Sequence, residues 1–205
     1  MKGFILRLQR AKNEDLIVTI LTERAMKSYY RFYGARHSIL QLGYLIDFEE
    51  EDEGARFMPR LRRVSHLGFP WLYRRNRLMA WQQFVRLFEP HLRDTESLEP
   101  FYFELLLEAA RRWERQNPKR IVCESYHRLL KHEGRIHPLD RCYICEKSLK
   151  EEVALMQALI PAHPGCIYGP SLPRRKLESF FESGKCTWLE DSEVDLLSAI
   201  IMKGL

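Results

Sequence analysis

Apolar and polar residues alternate from the start of the chain, Leu6 and Leu8 with Arg7 and Gln9, which is the two-residue period of a half-buried strand. Residues 16–21 form a β-branched run, and residues 27–33 alternate aromatic with basic side chains. Residues 42–48 and 56–64 complete a set of five expected strands. The turn signals between them are Lys12-Asn13-Glu14-Asp15, residues 23–25, residues 34–37 and the acidic residues 49–54. So few strands leave much unpaired edge unless the sheet closes, so the expectation is a small barrel of the oligonucleotide-binding (OB) type. An SH3-like barrel or an open sheet remains as an alternative at this point.

After Gly68-Phe69-Pro70 the period lengthens. Residues 72–88 place Leu78, Trp81, Phe84, Val85 and Phe88 at helical spacings, with Pro90 as the stop. Ser97 is the expected N-cap of a second helix, with Pro100 in its first turn and Phe103, Leu106, Leu107 and Ala110 on its apolar face. A third helix is expected over residues 120–132, ended by Gly134, and a last one over residues 193–202. The expected architecture is thus α+β: a five-stranded OB barrel over residues 1–68, followed by an all-α helical domain over residues 69–205 with an inserted zinc-knuckle-like motif at residues 142–166.

Composition narrows the function classes. At 205 residues and 45% hydrophobic content the chain can bury a real core. Charged residues interrupt every long apolar run, and the first residues lack a secretory layout, so the expected address is the cytoplasm, with no membrane association. The formal charge of +5 is unevenly spread: residues 1–78 hold 15 Lys or Arg against 9 Asp or Glu, and six of those acids lie within residues 47–53. The remainder of that segment is strongly basic, a field suited to a polyanion.

Five cysteines in a non-secreted chain are tested first as metal or redox groups. Cys142 and Cys145 form a C-x2-C pair, and His163 and Cys166 an H-x2-C pair after 17 intervening residues. Two such knuckles supply the four donors of a closed tetrahedral zinc shell, so a structural zinc ion is the expected cofactor. His132 and His137 lie near enough in sequence to substitute for His163. A redox pair would sit at a helix start in a βαβ context, and a zinc deaminase would need an H-x-E, neither of which accompanies these cysteines. Cys123 and Cys186 have no partner at such spacing and are expected to be buried apolar residues.

For nucleic acid, the alternation over residues 27–33 puts Tyr29, Arg31 and Tyr33 on one strand face, and Tyr30 and Phe32 on the other. Aromatic rings can stack unpaired bases while cations follow the phosphates. The expected contact set is Arg7, Arg10, Lys12, Lys27, Tyr29, Arg31, Tyr33, Arg36, Arg60, Arg62 and Arg63. The bland alternative, that the aromatics fill the barrel, must hold for one of the two faces. The acids of residues 47–53 are read as a solvating hairpin tip rather than a nuclease metal site, and neither G-x4-G-K-[ST] nor G-x-G-x2-G occurs. No catalytic residue is expected. An RNA-binding or translation factor and, behind it, a metal-dependent nuclease are the rival functions.

Lys2-Gly3-Phe4-Ile5-Leu6-Arg7, residues 14–23, Gly34-Ala35-Arg36 and Leu139-Asp140-Arg141-Cys142 with the knuckles beyond it resemble the RecO-type recombination mediators of bacteria. The resemblance implies an OB barrel, a helical domain and a zinc motif, used in DNA repair to anneal complementary strands. It also implies help in loading recombinase on single strands coated by single-strand binding protein (SSB). The partners it implies are single- and double-stranded DNA, RecR and the SSB tail, in a nucleoid-associated setting. His163 stands where many members carry a cysteine.

Overall fold

The structure, a computed structural model, describes residues 1–36, 38–52, 54, 58–95 and 97–205. The described residues form two compact units, Met1–Glu114 and Arg115–Leu205.

In the first unit, β1 (Lys2–Arg10), β2 (Leu16–Leu21), β3 (Met26–Arg31), β4 (Leu45–Glu51) and β5 (Arg60–His66) close into a barrel in the order β1-β2-β3-β5-β4. Every pairing is antiparallel except β3 with β5, which meet in parallel at Tyr30 and Arg60 and shut the barrel. Register slips between Ile5 and Arg7 on β1, and between Asp47 and Glu49 on β4, bend those strands around the small circumference. Inward positions carry Ile5, Val18, Ile20, Tyr29, Ile46, Phe48 and Leu61, all essentially inaccessible. The expected closed OB-type barrel followed by helices is what the chain forms.

Three boundaries moved. β3 stops at Arg31 because Tyr33 turns the chain with a left-handed φ of 51°, so the alternation ends before Phe32 and Tyr33. β4 runs through Glu51, so the acids 47–51 belong to a strand and not to a hairpin tip: Glu49 and Glu51 meet Arg63 and Arg62 of β5, Glu50 meets Lys27 of β3 and Asp47 the N-terminal amine. Of the expected fifth strand, Arg56 and Phe57 lie outside the described residues, as do His37 and Glu53 of the expected loops.

The change from strands to helices falls at residues 66–70, but the first compact unit continues to Glu114. A 3-10 turn over Pro70–Tyr73 leads into α1 (Arg75–Arg86), α2 (Phe88–Leu92) and α3 (Phe101–Arg112), and these helices belong to the same compact unit as the barrel. Phe4 of β1 touches both Trp81 and Phe103 at ring-centroid distances of 5.9 and 5.6 Å. Trp71, Trp81 and Trp113 are fully buried, and each indole N–H donates to a backbone carbonyl: Ala110, Gly43 and Arg77 respectively, at 2.8 to 3.0 Å. Gly43 takes a φ of 81°, and a Cβ there would lie 2.7 Å from the Trp81 ring, so this seat admits only glycine. Pro90 does not end a helix; it occupies the first turn of α2, where its missing N–H is not needed. Ser97 lies ahead of the true N-cap of α3, Pro100.

In the second unit, α4 (Pro118–His132) is capped by the Asn117 side chain, which accepts from Lys119 N at 3.0 Å. It packs on α7 (Asp191–Ile201), whose start is a capping box of Glu190 and Glu193. Between them the structure adds elements the hydrophobic pattern does not announce. A three-stranded antiparallel sheet, β7-β6-β8, is built from β6 (Glu152–Leu155), β7 (Pro161–Ala162) and β8 (Ser171–Pro173), with α5 (Pro164–Ile167) and α6 (Arg174–Ser183) beside it. Strands of two to four residues, two of the three containing a proline, carry no readable alternation. The unit after the barrel is therefore helical with a small sheet, rather than helical throughout.

Candidate nucleic-acid interface and metal centre

The barrel's basic residues fall into two groups. Around the acids of β4 the expected DNA contacts are paired: Lys27 of β3 with Glu50 at 3.3 Å, and on β5 Arg62 with Glu51 at 2.6 Å and Arg63 with Glu49 at 3.1 Å. Exposed pairs of this kind add little stability, but they cancel the local field that a phosphate would feel. Arg7 is also engaged, with Glu89 of α2 at 3.2 Å, and the same carboxylate holds Arg93 through both oxygens. Those arginines keep Glu89 below the usual carboxylate range against the opposing effect of its burial.

At the far end of β3 the arrangement differs. Tyr29, expected as a base-stacking ring, is 1% exposed in the barrel core, edge-on to Phe48 at 5.2 Å. Its hydroxyl donates to Glu50 at 3.1 Å, and burial, with the Glu50 charge, pushes the phenol up. Tyr29 therefore belongs to the core and is withdrawn from the contact set, since an enclosed ring offers no face to a base. The exposed rings are instead Phe32 and Tyr33, 43% and 57% accessible, the first missed because the strand alternation was extended past its true end. Gly34, where a Cβ would crowd Leu16 and Arg31 at 3.0 to 3.1 Å, was the local signal that the strand had already turned.

Arg60 stacks over Phe32 at 4.8 Å and Arg36 over Tyr33 at 5.2 Å. Arg36 also bonds Glu14. The Arg31 guanidinium donates to Leu61 O at 2.8 Å, while its Nε is buried without a partner among the described residues. Burial, and then the neighbouring Arg62, makes the Arg31 cation easier to deprotonate. Tyr30, Arg31, Phe32, Tyr33, Arg60 and Arg62 line a surface pocket of about 480 Å³. Arg10 and Lys12 are exposed around the β1–β2 turn.

In the second unit, one donor atom each from Cys142, Cys145, His163 and Cys166 lies within 4.8 Å of the others. The first pair sits in a turn closed by Cys142 N to Lys147 O and Glu146 N to Cys142 O, both 2.9 Å, with a bridge between Arg141 and Ser148. His163 caps α5, which carries Cys166. His163 Nε2 lies 3.0 Å from Ser148 O, and a carbonyl can only accept, so Nε2 bears the proton and Nδ1 faces the sulfurs, 3.3 Å from Cys145 and 3.9 Å from Cys166. That is the outer hydrogen bond by which a ligating imidazole is oriented.

Burial alone would raise the Cys142 thiol, but the N–H groups of Cys145, His163 and Ile144 directed at its sulfur bring it down to about 6. Burial and the two neighbouring sulfurs push Cys166 up to about 11. Sulfurs this close repel as thiolates unless a cation lies between them, so the donor set fits a metal ion. His132 and His137 are not part of the group; the His137 ring instead lies 6.3 Å from Tyr143. Cys123 and Cys186 are buried as expected.

Among the described residues no helix is long and apolar enough to cross a membrane. No curated protein matches the chain significantly. Comparison with known families matches residues 1–72 to the one described as RecO N terminal, a span that contains the closed barrel and both groups of barrel cations. The similarity to the RecO N-terminal family thus covers the barrel and the start of the first helix region, about the first third of the chain.

Proposed function

We propose that the chain is a non-enzymatic recombination mediator of the RecF-pathway type. It binds single- and double-stranded DNA, anneals complementary strands and helps to load recombinase on SSB-coated single strands. The observation that carries this reading is the cluster of exposed rings and guanidinium groups at the end of β3, within a segment of RecO N-terminal type. Annealing needs no covalent step. Cations that neutralise phosphates let two strands approach, and rings that hold bases unstacked leave those bases able to pair.

The contact set for this role is Arg10, Lys12, Arg31, Tyr33, Arg36 and Arg60, together with Arg7, Lys27, Arg62 and Arg63, whose charges, like that of Arg36, are engaged by acids. RecR and the SSB tail are the protein partners, and the cytoplasmic nucleoid is the setting. Zinc is the metal we assign to Cys142, Cys145, His163 and Cys166, since three sulfurs and an imidazole nitrogen suit its tetrahedral preference. There it would clamp two loops and take no part in DNA chemistry.

A fluorescence assay with complementary oligonucleotides, bare and SSB-coated, tests the proposal. Acceleration of annealing that weakens steeply with salt is the expected result, and substitution of Arg31, Arg36 and Arg60 by Glu should abolish most of it. No acceleration in either condition would overturn the reading, and tighter binding to RNA than to DNA of equal length would replace it with an RNA-binding role.

A further inference from the structure

Phe32 and Tyr33 stand outside the strand alternation, and their placement needs a separate explanation. Tyr33 adopts a left-handed φ of 51°, a conformation that glycine or asparagine enters at lower cost than tyrosine. A turn alone gives no reason for a ring at this position. What holds the turn is Asp15, a carboxylate 9% exposed at the start of β2. Its Oδ2 accepts the Tyr30 hydroxyl at 2.5 Å and its Oδ1 accepts the Tyr33 N–H at 2.7 Å. The turn is fixed further by Ala35 N to Glu14 O at 2.9 Å and Arg36 N to Tyr33 O at 3.1 Å.

The result is a backbone fixed in a costly conformation so that two rings point outward. Tyr30 packs edge-on against Phe32 at 5.0 Å, and one arginine covers part of each exposed ring. Beside them Arg31 lines the pocket, and its Nε is buried with no partner among the described residues, a rare and expensive feature in this wall.

We propose that this pocket is a subsite for one unpaired nucleotide, with Phe32 and Tyr33 as the base-stacking platforms, Arg31 as the phosphate or base-edge donor and Asp15 as the residue that positions the platforms. The proposal rests on the DNA-binding reading above and deepens it, because it makes this turn the origin of a preference for single strands over duplex. In a duplex the base faces are already occupied by their neighbours, so only the electrostatic part of the surface contributes.

The test is fluorescence anisotropy at fixed salt with three labelled probes of equal length: a single strand, the same strand carrying abasic sites, and a duplex. The abasic strand keeps the phosphates and lacks the bases. The wild-type chain should bind the intact strand about tenfold or more tighter than the abasic one, the range expected for stacking of one or two bases. Phe32→Ala and Tyr33→Gly should each remove most of that difference while leaving duplex affinity within about twofold; glycine suits the left-handed turn, so the second change keeps the backbone. Asp15→Asn and Tyr30→Phe should lower single-strand affinity and leave duplex affinity in place, a pattern that general destabilisation of the barrel would not give.

Wild-type protein that binds the intact and abasic strands equally, or ring variants that keep full single-strand preference, would overturn the subsite while leaving the DNA-binding reading intact. Wild-type protein that binds none of the three probes would overturn both.

Discussion

The two compact units reach their folds by different means. Met1–Glu114 is organised around large apolar side chains: three buried indoles, Phe4, Phe84, Phe88 and Phe103 join the barrel to the helices after it. Within Arg115–Leu205, α4 and α7 pack in a similar manner, but the segment from Cys142 to Cys166 has short strands, many turns and a centre made of four polar donors. Burial is a diffuse force that tolerates loss of one contact, whereas a shell of four ligands is all or nothing. The difference teaches where the protein is vulnerable: the first region to gradual loss of packing, the second to disturbance of any one of four clustered donors.

Three expected outcomes bear on that contrast, in decreasing size. Removing the metal with a strong chelator, or introducing Cys142→Ser, should unfold the knuckle segment while the barrel unit keeps its transition. Structural zinc typically supplies about 10 to 16 kcal/mol of apparent binding free energy to such sites at neutral pH. Metal analysis together with hydrogen exchange checks this, and protection of residues 142–166 that is unchanged after metal removal would remove the distinction between the two regions. A middle effect is expected from Trp81→Ala. Loss of a fully buried indole and of its bond to Gly43 should destabilise the first unit by about 3 to 5 kcal/mol in denaturant titrations, with metal content unchanged.

The smallest effect is on pH. His127 on α4 is buried beside Gly184, donates from Nε2 to Phe181 O at 2.8 Å, and has no partner for Nδ1 among the described residues. Burial holds its pKa below the usual histidine value. The unfolded chain therefore takes up the proton first, and stability should fall as pH drops below about 6.5 towards the lower folded value. His66 on β5 is lowered in the same direction by burial, so thermal melts of His127→Gln and His66→Gln between about pH 7 and pH 5 apportion the loss between the units. Melting curves that ignore pH over that window would refute both assignments.

How much could be read beforehand follows from the same contrast. β2 was legible to the residue, because six consecutive inward or half-buried β-formers leave no other option. α4 and α7 were legible within two residues at each end from their apolar faces and, for α4, from the Gly134 stop. The grouping of Cys142, Cys145, His163 and Cys166 was legible from spacing alone, since two residues between donors is what a tight knuckle allows. The arrangement of the basic residues was legible only in part. A list of cations does not say which ones face acids; Arg62 and Arg63 do so because β4 and β5 are neighbours in the closed barrel, and Lys27 of β3 because the fold brings it to Glu50.

What the sequence by itself determined is therefore local and periodic: the element types, the closure-prone strand set, the basic excess and the four donors. These depend on residues near one another along the chain. Tertiary structure alone decided that Tyr29 faces inward while Phe32 and Tyr33 face out, that α1, α2 and α3 belong with the barrel, and that Asp15 holds a turn eighteen residues away at Tyr33. Each of those depends on which strands meet when the barrel closes, a long-range pairing that no window of sequence contains.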